Sequence, residues 1–210
     1  MNRRRVLTLV GTVGVTGLAG CLGDEGTFEY TASAAEIPEG SRNGYQAEGP
    51  EAIDINETIE AAGISREVNI TTWSSTYTSP DNEASLFLFS TPDVTVAGQS
   101  LNPLARLSGA DLIARVIDEG LARTGGEANI KEIETNGELE LMALGDQRTA
   151  SIFTAVLEAE GEELPIRLYL LSITHGEDVV LAVGFHPEEF DASSDLQSLM
   201  ESIEHPVDVE

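Results

Sequence analysis

The run Ile166-Arg167-Leu168-Tyr169-Leu170-Leu171-Ser172-Ile173-Thr174-His175 is followed by Gly176-Glu177-Asp178 and then by Val179-Val180-Leu181-Ala182-Val183-Gly184-Phe185. Both runs are rich in β-branched and aromatic residues, and a glycine-containing turn separates them, so they read as successive strands. Three similar runs lie upstream, at Ile130–Thr135, Glu138–Leu144 and Ser151–Glu158. Together the five form a C-terminal meander.

Two helices flank that meander. Ser108 and Asp111 have the spacing of a capping box, and Leu112, Ile113, Val116, Ile117 and Leu121 recur at helical intervals up to Gly125-Gly126. Ser194 or Asp195 caps a second helix whose inward residues are Leu196, Leu199, Met200 and Ile203, closed by His205-Pro206. Nearer the N-terminus, Ile53, Ile55 and Ile59 face Val68-Asn69-Ile70-Thr71-Thr72-Trp73 across a glycine-containing turn, the pattern of a hairpin. Leu86-Phe87-Leu88-Phe89 is apolar at every position, which predicts a strand covered on both faces. An apolar helix stripe must bury against something, and here the surface on offer is the sheet. The expected fold is α+β: an antiparallel sheet, made of the hairpin and the C-terminal meander, with two helices packed on one face.

Charge says where such a domain works. The 210 residues carry 37 Asp and Glu against 11 Lys and Arg, for a formal net charge of -26. Lys131 is the sole lysine. Like charge at this density repels itself in dilute buffer, whereas at about 1 M salt the screening length falls to about 3 Å. The composition therefore fits molar salt. It excludes nucleic acid as a partner, because phosphate binding needs clustered Lys and Arg. None cluster after Arg5.

The first twenty residues point outward from the cell. Arg3-Arg4-Arg5 precede an apolar run from Val6 to Leu18. As a helix that run would extend about 20 Å, short of the hydrocarbon core of about 30 Å. A positive start, a short apolar stretch and small residues beyond it describe an export signal. Arg3 and Arg4 resemble the twin-arginine signal of folded-protein export, and Leu18-Ala19-Gly20-Cys21 resembles a lipobox, in which cleavage precedes a cysteine that is then lipidated. The single cysteine, Cys21, thereby acquires a role. The expected organisation is an export signal over 1–20, a lipidated cysteine and tether over 21–49, with an early strand near Phe28–Ser33, and a single α+β domain over 50–210.

The export signal, the hairpin ending near Trp73, the segment Gly98-Gln99-Ser100-Leu101-Asn102-Pro103 and the helix and meander after it resemble a haloarchaeal lipoprotein family of unknown function. The helix–meander–helix order also resembles the PsbP-like fold. The resemblance implies a location and a salt habitat; it implies no activity.

Motifs for bond-making chemistry are missing. His175, His186 and His205 form no H-x-x-H or H-E-x-x-H pair, and His205 reads as a helix-terminal residue facing the dipole. There is no G-x-S-x-G, no S-x-x-K and no phosphate-cradling glycine loop. No cofactor and no metal-ligand set is indicated. Carboxylates cluster at Glu158, Glu160, Glu162 and Glu163, and at Glu188, Glu189 and Asp191, as solvated turns would. Trp73 and Tyr77 share a strand face and form either a ligand platform or aromatic packing beneath a helix. Asn56-Glu57-Thr58 and Asn69-Ile70-Thr71 are candidate glycan acceptors in an exported chain. The sequence thus reads as a membrane-anchored extracytoplasmic lipoprotein that binds a ligand or an envelope protein or serves a structural role. The alternative is an extracytoplasmic hydrolase using carboxylates with a divalent cation.

Overall fold

The computed structural model describes residues 27–61, 64–96, 99–100, 107, 109–124, 128–159 and 161–209. Its centre is the segment Asp178–Pro187, strand β11, buried along its whole length, paired antiparallel with β5 (Ser85–Pro92), which is equally buried. Strands that are apolar at consecutive positions need cover on both faces. Here each face has its own helix. Val179, Leu181, Val183 and Phe185 turn to one side, where Leu112, Ile113, Val116 and Ile117 of α1 (Gly109–Thr124) close a core with Phe87 and Phe89. Val180 and Ala182 turn to the other, against Leu196, Leu199 and Met200 of α2 (Ser193–Glu201), with Ile203 just beyond it. A Cβ placed on Gly184 of β11 would lie 3.2 Å from Leu196 Cδ2 and 3.3 Å from Met200 Cε, so α2 seats closely on this strand.

The expectation of two helices on one face is therefore corrected: α1 and α2 lie on opposite faces. The reason is arithmetic of surface. A sheet whose central strands hide both sets of side chains cannot leave one face to water without exposing Phe87, Phe89, Val183 and their neighbours.

The meander is β8 (Ala128–Ala143), β9 (Asp146–Ala159), β10 (Glu162–His175) and β11, all antiparallel. The two short runs expected at 130–135 and 138–144 are one strand, β8, with register shifts between Lys131 and Glu134 and between Thr135 and Gly137. Beyond β5 come β4 (Ile64–Thr78) and, at the edge, β3 (Gln46–Ala61), the expected hairpin at greater length. A two-stranded ladder, β6 (Thr95–Val96) with β7 (Gln99–Ser100), stands apart from the main sheet.

One strand changes the sheet's character. β1 (Thr27–Thr31) runs parallel to β4, pairing Thr27 to Thr31 with Glu67 to Thr71. It continues the edge of β4 that β5 occupies from Trp73 onward, and Phe28 and Tyr30 close a small core with Val68, Ile70, Ile55 and Val94. The sheet is largely antiparallel but mixed. Residues 27–49, expected as tether apart from one early strand, are built into the fold: after β1 come β2 (Ala34–Glu36) and buried Ala32, Ile37 and Tyr45. β2 pairs with a last strand, β12 (Glu204–Val207), in the place where His205-Pro206 was expected only to close a helix.

Candidate functional site

The β10–β11 turn, with Gly176 at φ 67°, sets His175 and Asp178 opposite each other, while Ser90 sits on the neighbouring β5 across from Val180. Strand β12 carries His205 onto this end of the sheet. Nδ1 of His205 lies 2.9 Å from Nδ1 of His175, and its Nε2 lies 3.2 Å from Ser90 Oγ and 3.3 Å from Asp178 Oδ2. The backbone N–H of Ser33 donates to the same Asp178 oxygen at 2.9 Å. The His205 side chain is 3% exposed and that of Asp178 9%. The two imidazoles meet edge to face, with centroids 5.2 Å apart.

This geometry fixes the protons. Between two Nδ1 atoms at hydrogen-bond distance only one can carry hydrogen. With His205 protonated on Nε2, that N–H faces Asp178 and its Nδ1 accepts from His175. Burial pushes the His205 ring below its ordinary 6.5; Asp178 pulls it back up, and the neighbouring His175 pushes it down again. The net direction is downward, so His205 is held neutral.

The set contains a serine, a histidine and an aspartate, but it is not a nucleophile relay. A general-base histidine presents one nitrogen to the serine and the other to the acid. Here Ser90 and Asp178 address the same nitrogen, and the second nitrogen faces His175. Among the described residues no group of three or more His, Cys, Asp or Glu is placed to hold a metal ion. What the arrangement does is join five segments of chain through one partly buried polar knot.

A second polar line runs at the other end of the same face. His186 Nδ1 lies 2.7 Å from the Pro187 carbonyl and donates to it; Tyr169 Oη stands 3.4 Å from His186 Nε2 and 2.7 Å from Ser193 Oγ. Ser193 Oγ and its backbone N–H both donate to Asp191 Oδ1, which lowers the Asp191 carboxyl. Asp191, rather than Ser194 or Asp195, thus steers the chain into α2.

In the acidic clusters Glu162, Glu163, Glu188, Glu189 and Asp191 are exposed and Glu158 is half-buried, while Glu160 lies outside the described residues. Glu158 and Glu163 share Lys131, at 3.2 and 2.6 Å, and the bond to Glu163 is the first cause of the raised Lys131 ammonium. A groove of about 300 Å³ is lined by Glu132, Glu134, Glu188, Thr154 and Pro165. All three glutamates are exposed, whereas a carboxylic acid that donates its proton near neutral pH needs burial.

The residues singled out from the sequence fall in three places. Arg3, Arg4 and Cys21 lie outside the described residues. Trp73 and Tyr77 do share a face, and both bind backbone: Trp73 Nε1 donates to the Ala32 carbonyl at 2.9 Å, and the buried Tyr77 hydroxyl accepts the Ile37 N–H at 2.7 Å. They hold the segment between β1 and the short 3₁₀ turn Glu39–Ser41 onto the sheet. Asn56 and Asn69 are direct cross-strand partners, Asn56 exposed on the edge strand and Asn69 half-buried between β3 and β1. His205 is corrected: it sits in β12 rather than at a helix end, and it bonds to side chains. Asp178 and Ser90 had no local signal, since an acid after Gly-Glu reads as a turn and a serine at a strand end reads as nothing in particular.

A family model for a domain of unknown function, DUF6517, matches residues 34–204. The chain belongs to the DUF6517 family. The match begins at β2 and ends at the first residue of β12, so the domain it defines runs between the two short strands that the histidine knot fastens. No curated protein matches this DUF6517 chain. Among solved structures it is similar to the solution structure of cyanobacterial PsbP (CyanoP) from Synechocystis sp. PCC 6803, at 9% identity and a TM-score of 0.38, over 93% of this chain and 98% of that one.

Proposed function

We propose that this DUF6517 chain is an extracytoplasmic lipoprotein, held on the outer face of the membrane by a lipid on Cys21, and that it acts in molar salt as a binding or structural module of a haloarchaeal cell envelope. The observation that carries the reading is the order Arg3-Arg4, apolar run, Leu18-Ala19-Gly20-Cys21, followed at once by the domain. Five residues separate Cys21 from β1, a span of at most about 20 Å. An anchor there would keep the β1 end of the sheet close to the bilayer. One lipid chain stabilises binding by about 0.8 kcal/mol per buried CH₂. The acidic surface supports the salt habitat, because about 1 M salt screens such charge to about 3 Å.

Fractionation tests it. The wild-type chain is expected in membranes and extractable by detergent, while Cys21→Ser is expected in the medium or the soluble fraction. Mass spectrometry of the mature N-terminus should find a modified Cys21. Full-length, unmodified chain in the cytosol would refute the reading.

A further inference from the structure

We propose that His175 and His205 form a proton-operated latch, which fastens the C-terminal strand β12 and the segment Ala32–Ile37 to the end of the sheet and releases both when a second proton enters the pair. The two Nδ1 atoms stand 2.9 Å apart and share one hydrogen. His175 donates the hydrogen between them, because Nε2 of His205 already serves Asp178 and Ser90; a further proton on His205 must go to its Nδ1, where donor would meet donor.

Burial and His175 oppose a charge on His205, and together they outweigh Asp178 and the Ser33 backbone, which favour it. Asp178 comes from β11, His175 from β10, and β5 contributes the neutral hydroxyl of Ser90. On the covering side lies the Ser33 backbone, and Glu204 pairs with Glu36 between β12 and β2. Asp178 is already committed, accepting from Ser33 N–H at 2.9 Å while facing His205. Losing the His205 contact therefore loosens β12 directly and the Ser33 segment through Asp178. The same segment is bonded at Ala32 by Trp73 and at Ile37 by Tyr77. It leads back through β1 to Cys21, so, on the anchoring reading above, opening the latch frees the part of the domain that adjoins the membrane.

The chain reports on this latch itself. Trp73 is its sole tryptophan, and its indole N–H is bonded inside the latched segment. The full chain, in detergent and molar KCl, is titrated downward from pH 8 while Trp73 emission and far-UV circular dichroism are followed together. The expected result is a reversible red shift of Trp73 emission below neutral pH with the circular dichroism of the sheet retained. In His175→Asn the amide can turn its oxygen to a protonated His205, so the midpoint should move to lower pH by about one unit; His175→Gln serves the same purpose should the first variant fail to fold. Trp73 emission that changes only with global unfolding, or an unchanged midpoint in the folded variant, would overturn the latch. Neither readout depends on the lipid, so it stands or falls separately from the fractionation test.

Discussion

Nδ1 of His205 and Nδ1 of His175 meet at 2.9 Å although thirty residues separate them, and the contact stitches the C-terminal strand to the turn between β10 and β11. Neither ring would be placed there by its own neighbours in sequence. The contact exists because α2 packs over Gly184 and delivers β12 beside β2, at the open end of the sheet.

Asp178 should be the most sensitive member of this set. Its carboxylate serves both Ser33 N–H and His205, and bonds to charged groups contribute about 1.5–3 kcal/mol each to stability. Asp178→Asn keeps the shape and removes the charge. We expect about 2 kcal/mol of destabilisation in denaturant titrations at neutral pH, and faster amide exchange at Ser33.

The pH dependence follows from His205, whose folded-state protonation is pushed below the ordinary 6.5 by burial. The unfolded chain then binds the proton more readily than the folded one, so its contribution is intact above 6.5 and is lost as pH falls through and below that value. Thermal melts in molar salt should show Tm falling as pH is lowered from 7. In His205→Asn that portion of the slope should flatten, leaving only the steeper fall as carboxylates protonate.

Tyr45 makes the opposite case at the alkaline end. Its hydroxyl is buried without a partner among the described residues, and burial first, then Asp195, pushes it up to about 12 from 10.0. Ionisation is disfavoured in the folded state, so stability is full below 10 and declines as pH rises from 10 towards 12. Tyr45→Phe should cost nothing measurable at pH 7, because the hydroxyl makes no bond to lose, and should remove part of the alkaline decline.

Packing of α2 gives a mechanical test. Gly184→Val would drive a branched side chain into Leu196 and Met200, whose nearest atoms lie only 3.2–3.3 Å from where its Cβ would stand, at a cost of about 1–3 kcal/mol. Leu199→Ala opens the same layer and should cost about 2–5 kcal/mol. Both should lower the denaturant midpoint, and Leu199 is fully buried, so water cannot fill the loss cheaply.

Salt is the broadest lever. With a formal charge of -26, dialysis from molar salt to dilute buffer removes the screening that tolerates it. Tm should fall steeply and monotonically with decreasing KCl. A constant Tm and unchanged circular dichroism would remove the halophilic reading.

Local pattern was enough to find most of the elements. Runs rich in β-branched and aromatic residues around glycine-containing turns marked the meander and the hairpin, consecutive apolar residues at Leu86–Phe89 marked a strand hidden on both sides, and the stripes at 112–121 and 196–203 marked the two helices. These features depend on residues a few positions apart, and side-chain period alone decides which of them must leave water. Period does not name the partner that covers a face. Tertiary structure alone placed α1 and α2 on opposite sides, set β1 parallel along the free edge of β4, and paired β2 with β12. It alone gathered Ser33, Ser90, His175, Asp178 and His205, because hydrogen bonds between residues as much as 145 apart leave no mark on the segments that make them.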